Sequence, residues 1–194
     1  MTDFSDHITA DTHLWHNGIV RYCQRPGYNY GGYHDYSRHT REIIDNWNES
    51  VGPEDTILHL GDLYFRPRND DNEAERRAEV IRNLNGRKKI IMGNHDDPYG
   101  KEHFEELGFE VVEAFSVVKD DVTFYFTHYP MRSVPKNSIN IHGHIHNNYI
   151  DCIGRGHINV GVDMRAMSPV PTEVIMDNGI YRIKVESTRR DHHA

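Results

Sequence analysis

Five short apolar runs in this chain stop abruptly at Asp, Asn or His. Ile8-Thr9-Ala10 leads into Asp11-Thr12-His13, Ile57-Leu58-His59-Leu60 into Gly61-Asp62, and Lys89-Ile90-Ile91-Met92 into Gly93-Asn94-His95-Asp96-Asp97. Later, Phe124-Tyr125-Phe126 leads into Thr127-His128, and Ile141-His142-Gly143-His144-Ile145-His146 packs three histidines into six residues. A buried parallel strand reads as a near-continuous apolar run. Open α/β sheets gather their ligands just beyond the carboxyl ends of such strands. The pattern therefore predicts one rim that collects hard and borderline metal ligands.

Between these runs the period changes. Residues 38–50 read as a helix capped by Ser37 or Thr40, with Ile43, Ile44 and Trp47 on one face. Residues 69–84 read as a charged helix whose Ala74, Ala78, Ile81 and Leu84 face inward, stopped by Asn85-Gly86. Strands are expected at 7–10, 56–60 and 87–92, and a short helix at 101–107. Beyond residue 109 the chain reads as strands at 110–118, 121–127, 138–142, 148–153, 157–161 and 180–186. Asp120-Asp121 and Asn178-Gly179 serve as hairpin signals there. The architecture that fits is a central pair of packed sheets with helices outside, one half βαβ and the other mostly β.

The stretch from Tyr22 to Tyr36 has no helical or alternating period and is rich in Gly and aromatics. It holds Tyr22, Tyr28, Tyr30, Tyr33 and Tyr36, five of the chain's 11 tyrosines. A loop of this length is either tucked down by its own aromatics or serves as a substrate lid.

Composition narrows the class. At 194 residues one domain is expected, over residues 1–186, with a polar tail at 187–194. The mean hydropathy is −0.76, yet the apolar residues are clustered rather than diluted, which argues against disorder throughout. No run is long enough to span a membrane and the N-terminus lacks an apolar signal region. Cys23 and Cys152 are isolated and read as reduced thiols in a cytoplasmic protein. A net charge of −8 argues against stable binding of duplex nucleic acid. Histidine is the outlier, at 15 residues.

Asp11, His13, Asp62, Asn94, His128, His144 and His146 offer carboxylate, amide and imidazole donors and no thiolate. That set suits Mn, Fe, Zn or Ni, and excludes a structural thiolate-zinc site. Seven groups are too many for one ion and fit two sharing a carboxylate. Such a pair stabilises both the attacking and the leaving oxygens of a phosphoryl displacement.

Taken in order, Asp11-x-His13, Gly61-Asp62, Gly93-Asn94-His95-Asp96, His128 and Gly143-His144-x-His146 resemble the motifs of the calcineurin-like metallophosphoesterase superfamily. The segment from Asp11 to Ile19, Arg25-Pro26, and Asn159 to Asp163 are similar to a group of small phage and bacterial phosphoesterases. The resemblance implies a four-layer α-β-β-α sandwich and two divalent ions, with Mn the first expectation. Asp11, His13 and His146 would hold one ion, Asn94, His128 and His144 the other, and Asp62 would bridge. A hydroxide bridging the metals would attack phosphorus in line. His95 would protonate the leaving oxygen or steady the transition-state charge, and Asp96 would orient the His95 ring. Asn159, Asp163, His16 and His59 would support the metal loops, and His142 would point to the other side of its strand.

The activity implied is hydrolysis of a small phosphoester, with nucleotide and cyclic-nucleotide diesters among the candidates and the oligomeric state open. The form of the Gly-Asn-His-Asp motif favours phosphodiesters. Against that, Arg66 follows Asp62 by four residues, the offset at which protein phosphatases place a phosphate-gripping arginine. Arg21 and Arg25 are further candidates for a phosphate clamp, and Tyr28 and Tyr30 for stacking on a base. Alternatives are a phosphomonoesterase, a nuclease acting on short oligonucleotides, and a non-catalytic scaffold on the same fold. The scaffold reading predicts lost ligands, and none is lost here.

Overall fold

The computed structural model describes residues 4–29, 32, 34–66, 70–148 and 156–191, with side chains to residue 185. Two sheets form its centre. The first has the order β4-β3-β2-β1-β9, with β1 at His7–Thr9, β2 at Thr56–His59, β3 at Arg87–Ile90, β4 at Phe109–Val111 and β9 at Val170–Pro171. Strands β1 to β4 are mutually parallel, and β9 runs antiparallel beside β1. The second sheet has the order β5-β6-β7-β8, at Phe115–Lys119, Val122–Phe126, Ser138–His142 and His157–Asn159. Only the β5–β6 pair there is antiparallel.

The inward faces meet in one core. Ile8, Ala10, Leu58 and Leu60 come from the first sheet, and Phe124, Phe126, Ile139, Ile141 and Ile158 from the second. Strand β6 alternates buried and half-buried residues, as a sheet with one face on the core should. Helices α2 (Tyr36–Ser50), α3 (Asp71–Arg82) and α4 (Lys101–Glu106) cover the other face of the first sheet. Ile43, Ala78, Ile81, Phe104 and Leu107 form a second cluster there with Ile90 and Phe109. Two sheets flanked by helices is the architecture that the sequence implied.

Helix α2 begins two residues before the expected start. Its cap is Asp35, whose side chain accepts from the backbone N–H of Ser37 at 3.1 Å, so neither Ser37 nor Thr40 is the cap. A short helix α1 (Asn17–Tyr22) precedes the aromatic loop. The expected strand over 110–118 is two strands: the chain leaves the first sheet after Val111 and enters the second at Phe115. Most of the expected strand at 148–153 lies outside the described residues.

The largest departure is at the C-terminal end. Residues expected as a strand at 180–186, and those of the expected tail from 187 as far as Asp191, belong to helix α5, Thr172–Asp191. Asn178-Gly179 makes no hairpin. Gly179 sits inside the helix, where a Cβ would lie 2.7 Å from Cε1 of Phe124 and 3.1 Å from Cγ1 of Ile139. The glycine is there for close approach of helix to sheet, not for a turn. Ile175, Met176 and Ile180 join the inter-sheet core. Among the described residues no helix is long and apolar enough to cross a membrane.

This topology positions the site. Parallel β1, β2 and β3 end at one edge, as do parallel β6 and β7, so the five polar motifs emerge on one rim. The two sheets are tied there. Ala10 bridges to Gly161, and Val162 donates its N–H to the Ala10 carbonyl at 3.0 Å.

Candidate metal centre

The residues after β1, β2 and β7 leave their strands through left-handed backbone. The φ angles are 55° at Asp11, 46° at His13, 60° at Asp62, 72° at His144 and 52° at His146. Asp and His tolerate this region better than branched residues do, and each such position still carries strain. These turns aim the side chains at one another. The donor atoms of Asp11, His13 and His146 lie within 4.8 Å of each other, as do those of Asp62, His128 and His144. His13, Asp62 and His95 form an overlapping group by the same measure. Asn94 belongs beside the second group, its Oδ1 3.3 Å from Nε2 of His128. The structure thus brings together all seven expected ligands.

Asp62 joins the two groups. Its Oδ2 is 3.4 Å from Nε2 of His13 and 3.6 Å from Nε2 of His128. Its Oδ1 accepts the backbone N–H of His95 at 2.9 Å, which leaves Oδ2 as the shared atom. Room for this comes from Gly93, where a Cβ would lie 2.7 Å from Cε1 of His128 and would overlap Oδ1 of Asp62. Asp11 accepts the N–H of His144 at 3.0 Å on Oδ1 and 2.8 Å on Oδ2, fastening the two-histidine turn to the end of β1.

The electrostatics suit cations. Burial pushes the Asp11 carboxyl up to about 7 and pulls the His13 imidazole down to about 3. Burial also lowers His128 and His144. At Asp62, burial opposes the anion, but the neighbouring His13 and His128 rings hold its carboxyl below the ordinary range. Among the described residues, both ring nitrogens of His13 are buried without a hydrogen-bond partner. Neutral imidazoles beside buried carboxylates, with orphaned nitrogens between them, are what a divalent ion requires of its ligands. The donor set therefore fits such ions.

Supporting groups surround the cluster. Nδ1 of His146 lies 3.0 Å from Oδ2 of Asp163, which fixes that ring and leaves Nε2 for the cluster. The N–H of Gly61 donates to Nδ1 of His59, so the ring proton is on Nε2 and points at Oγ1 of Thr12, which in turn donates to the Leu63 carbonyl. Asn159 donates to the His146 carbonyl at 2.7 Å. His16 stacks on Phe65 at 3.8 Å. His142 faces away from the cluster, its ring 5.4 Å from that of His157.

Three expectations are corrected. Asp96 does not orient the His95 ring. Its carboxylate accepts three backbone N–H groups, from Asp62 at 2.6 Å, Gly93 at 2.9 Å and Leu63 at 3.0 Å. It staples the β2 and β3 motifs together, while burial raises its carboxyl to about 7 against the pull of those donors. Arg25 is no phosphate clamp. It is 2% exposed, pairs with both oxygens of Asp163 at 2.7 Å, and donates to the carbonyls of Asp11 and Thr12. Arg66 lines a different groove, with Tyr64, His103 and Glu106. Of the others, Arg21 is exposed in the last turn of α1. Tyr28 stacks on His34 in its own loop, 4.9 Å between centroids, and Tyr30 lies outside the described residues. The start of that loop does border the centre, since Cys23 groups with His146 and Asp163.

Sequence reasoning gave Arg25 the wrong role because a buried ion pair across 138 residues has no local signature. It also passed over Tyr129, whose ring lies 4.8 Å from His128 and 4.6 Å from His144. Its position next to a motif histidine and before Pro130 was the one available signal.

Several known proteins are similar to this chain. An uncharacterized protein of Methanocaldococcus jannaschii is 30% identical over 177 residues, which cover 88% of each chain. The gene 66 protein of Mycobacterium phage D29 is 30% identical over 97 residues, 47% of this chain and 40% of the phage protein. A crystal structure of a protein of unknown function from Aquifex aeolicus shares the fold. Its TM-score is 0.62 at 24% identity, over 88% of this chain and 97% of that one. Residues 7–174, which hold every motif above, match the sequence profile of calcineurin-like phosphoesterases. The chain belongs to the calcineurin-like phosphoesterase family.

Proposed function

We propose that this chain hydrolyses small phosphodiesters at a centre of two divalent cations, Mn²⁺ foremost. Asp11, His13 and His146 would hold one ion, and Asn94, His128 and His144 the other. The observation that carries this reading is the placement of Asp62 Oδ2 between His13 Nε2 and His128 Nε2, 3.4 and 3.6 Å away. A carboxylate oxygen shared by two imidazoles from different ligand groups is the arrangement that a pair of ions needs. When bound, such ions act as Lewis acids and make a nucleophile available at neutral pH.

The chain's own residues would do the rest. His95 is the proton donor to the leaving oxygen, held at the centre because its backbone N–H is bound to Asp62. Burial of Asp11, His13, Asp62 and His128 excludes water from the floor of the site.

Preference for diesters rests on the arginines. A monoester dianion carries one more charge than a diester, and phosphatases meet it with added cationic groups. Here Arg25 is consumed by Asp163, Arg66 lines another groove and Arg21 stands exposed on α1. With Mn²⁺ added, bis-p-nitrophenyl phosphate should be cleaved with a higher kcat/KM than p-nitrophenyl phosphate. A tenfold preference for the monoester, about 1.4 kcal/mol in transition-state terms, would overturn the reading.

A further inference from the structure

Each ligand group has a flat aromatic wall beside it that neither cation binding nor proton transfer uses. Next to the first, the His16 ring lies on Phe65 with centroids 3.8 Å apart and planes inclined by 15°. That stack is close to the proton donor, with Phe65 5.2 Å from His95 and 6.1 Å from His13. Next to the second stands Tyr129, against His128 and His144 and 50% exposed. Its backbone is pinned, since Oγ1 of Thr127 donates to the Tyr129 carbonyl at 2.6 Å and the N–H of Met131 donates to Asn140 at 2.8 Å. Phe65 and His16 are partly exposed as well, so both walls reach the surface.

A phosphodiester has two ester arms, and a site that holds its phosphorus between two walls offers a surface to each. We infer that the Phe65–His16 stack and Tyr129 are two base-binding subsites, so that the substrate is a phosphodiester joining two flat groups, as in a short single-stranded oligonucleotide. The leaving arm lies on Phe65, because the proton donor His95 is beside that wall. The retained arm lies on Tyr129. A cyclic nucleotide, with one base, would fill one wall only. Stacking on aromatic rings tolerates any base. The net charge of −8 provides no basic track for a long strand, which leaves stacking as the main source of recognition beyond the phosphate. This inference rests on the phosphodiesterase reading above.

The test is equilibrium binding by calorimetry to the Mn²⁺-loaded protein, using ligands that cannot turn over. One is dithymidine joined through a phosphonate whose leaving-side bridging oxygen is CH₂. The other is thymidine carrying the same phosphonate capped by methyl, with its base on the retained side. Wild type should bind the two-base ligand at least about fivefold more tightly, the lower end of what one stacked base provides. Phe65→Leu, which keeps the apolar fill but removes the ring, should erase that advantage and leave the one-base ligand unchanged. Tyr129→Ala should weaken both ligands. Equal affinity for the two ligands in wild type, or equal weakening of both by Phe65→Leu, would overturn the inference. Bis-p-nitrophenyl phosphate turnover measured alongside separates the two claims. Diester turnover without a two-base advantage removes the subsites alone, whereas a two-base advantage with a preference for p-nitrophenyl phosphate removes the diesterase reading, and with it the diester substrate, while the two walls stand as binding subsites.

Discussion

Arg25 and Asp163 are 138 residues apart in the chain and form a two-pronged ion pair, with Nε and one terminal nitrogen each 2.7 Å from a carboxylate oxygen. Both side chains are shielded from water. The same Asp163 holds the His146 ring, and with its partners the carboxyl is drawn down to about 2 in spite of its burial. Removing one member of a buried pair leaves the other uncompensated, typically at about 3–5 kcal/mol. Arg25→Gln should therefore lower stability by about that much in urea unfolding and weaken the first cation by about 10- to 100-fold. A rise in KM with stability unchanged would instead return Arg25 to the role of substrate clamp.

His95 and Asp96 are neighbours with separable duties. His95→Ala should keep both cations yet lower kcat by about 10²–10⁴-fold, with a smaller loss for p-nitrophenyl esters, whose leaving group scarcely needs a proton. Asp96→Ala strands three buried N–H groups, each worth about 1–3 kcal/mol when unsatisfied. Its damage should appear first in the melting temperature and cation content. Identical profiles for the two variants would contradict this division.

Helix α5 yields a test against simple helix propensity. Glycine to alanine in a helix interior ordinarily adds up to about 1 kcal/mol of stability. At Gly179 the new methyl would overlap Phe124, so Gly179→Ala should destabilise by about 1–3 kcal/mol in denaturant unfolding. Any gain in stability would mean that the helix does not rest on β6 as described.

Acid should unfold the protein partly through buried histidines outside the expected ligand set. Burial pulls His39 and His59 from the ordinary 6.5 down to about 3, and His142 down to about 4. The unfolded chain then binds protons first as the pH falls below about 6.5. The stability these groups contribute is complete above that value and is lost as the pH drops through their folded values. Each adds up to about 1.4 kcal/mol per pH unit to the slope. His39→Gln should flatten the dependence of unfolding free energy on pH between 6.5 and 3 by up to that amount, and an unchanged slope would contradict it.

The rim of ligands was legible because parallel strands write themselves as apolar runs, and because Asp11, His13, Asp62, His128, His144 and His146 directly follow such runs. What escaped is non-local. The Asn178-Gly179 pair carries the composition of a hairpin turn, and only its packing against Phe124 and Ile139 explains the glycine inside a helix. The single apolar stretch from Phe109 to Val118 has one period yet serves two sheets. Asp96 adjoins His95 in sequence, but its carboxylate turns to the backbone of Gly93, Asp62 and Leu63, a choice set by tertiary structure.

The central claim is a phosphodiesterase centre of two cations organised around Asp62. Its most direct test is a titration of chelator-stripped protein with Mn²⁺, following hydrolysis of bis-p-nitrophenyl phosphate at each addition. Activity should stay low through the first equivalent, rise with the second and level off at two per chain. Full activity at one equivalent, or activity that survives stripping, would contradict the claim.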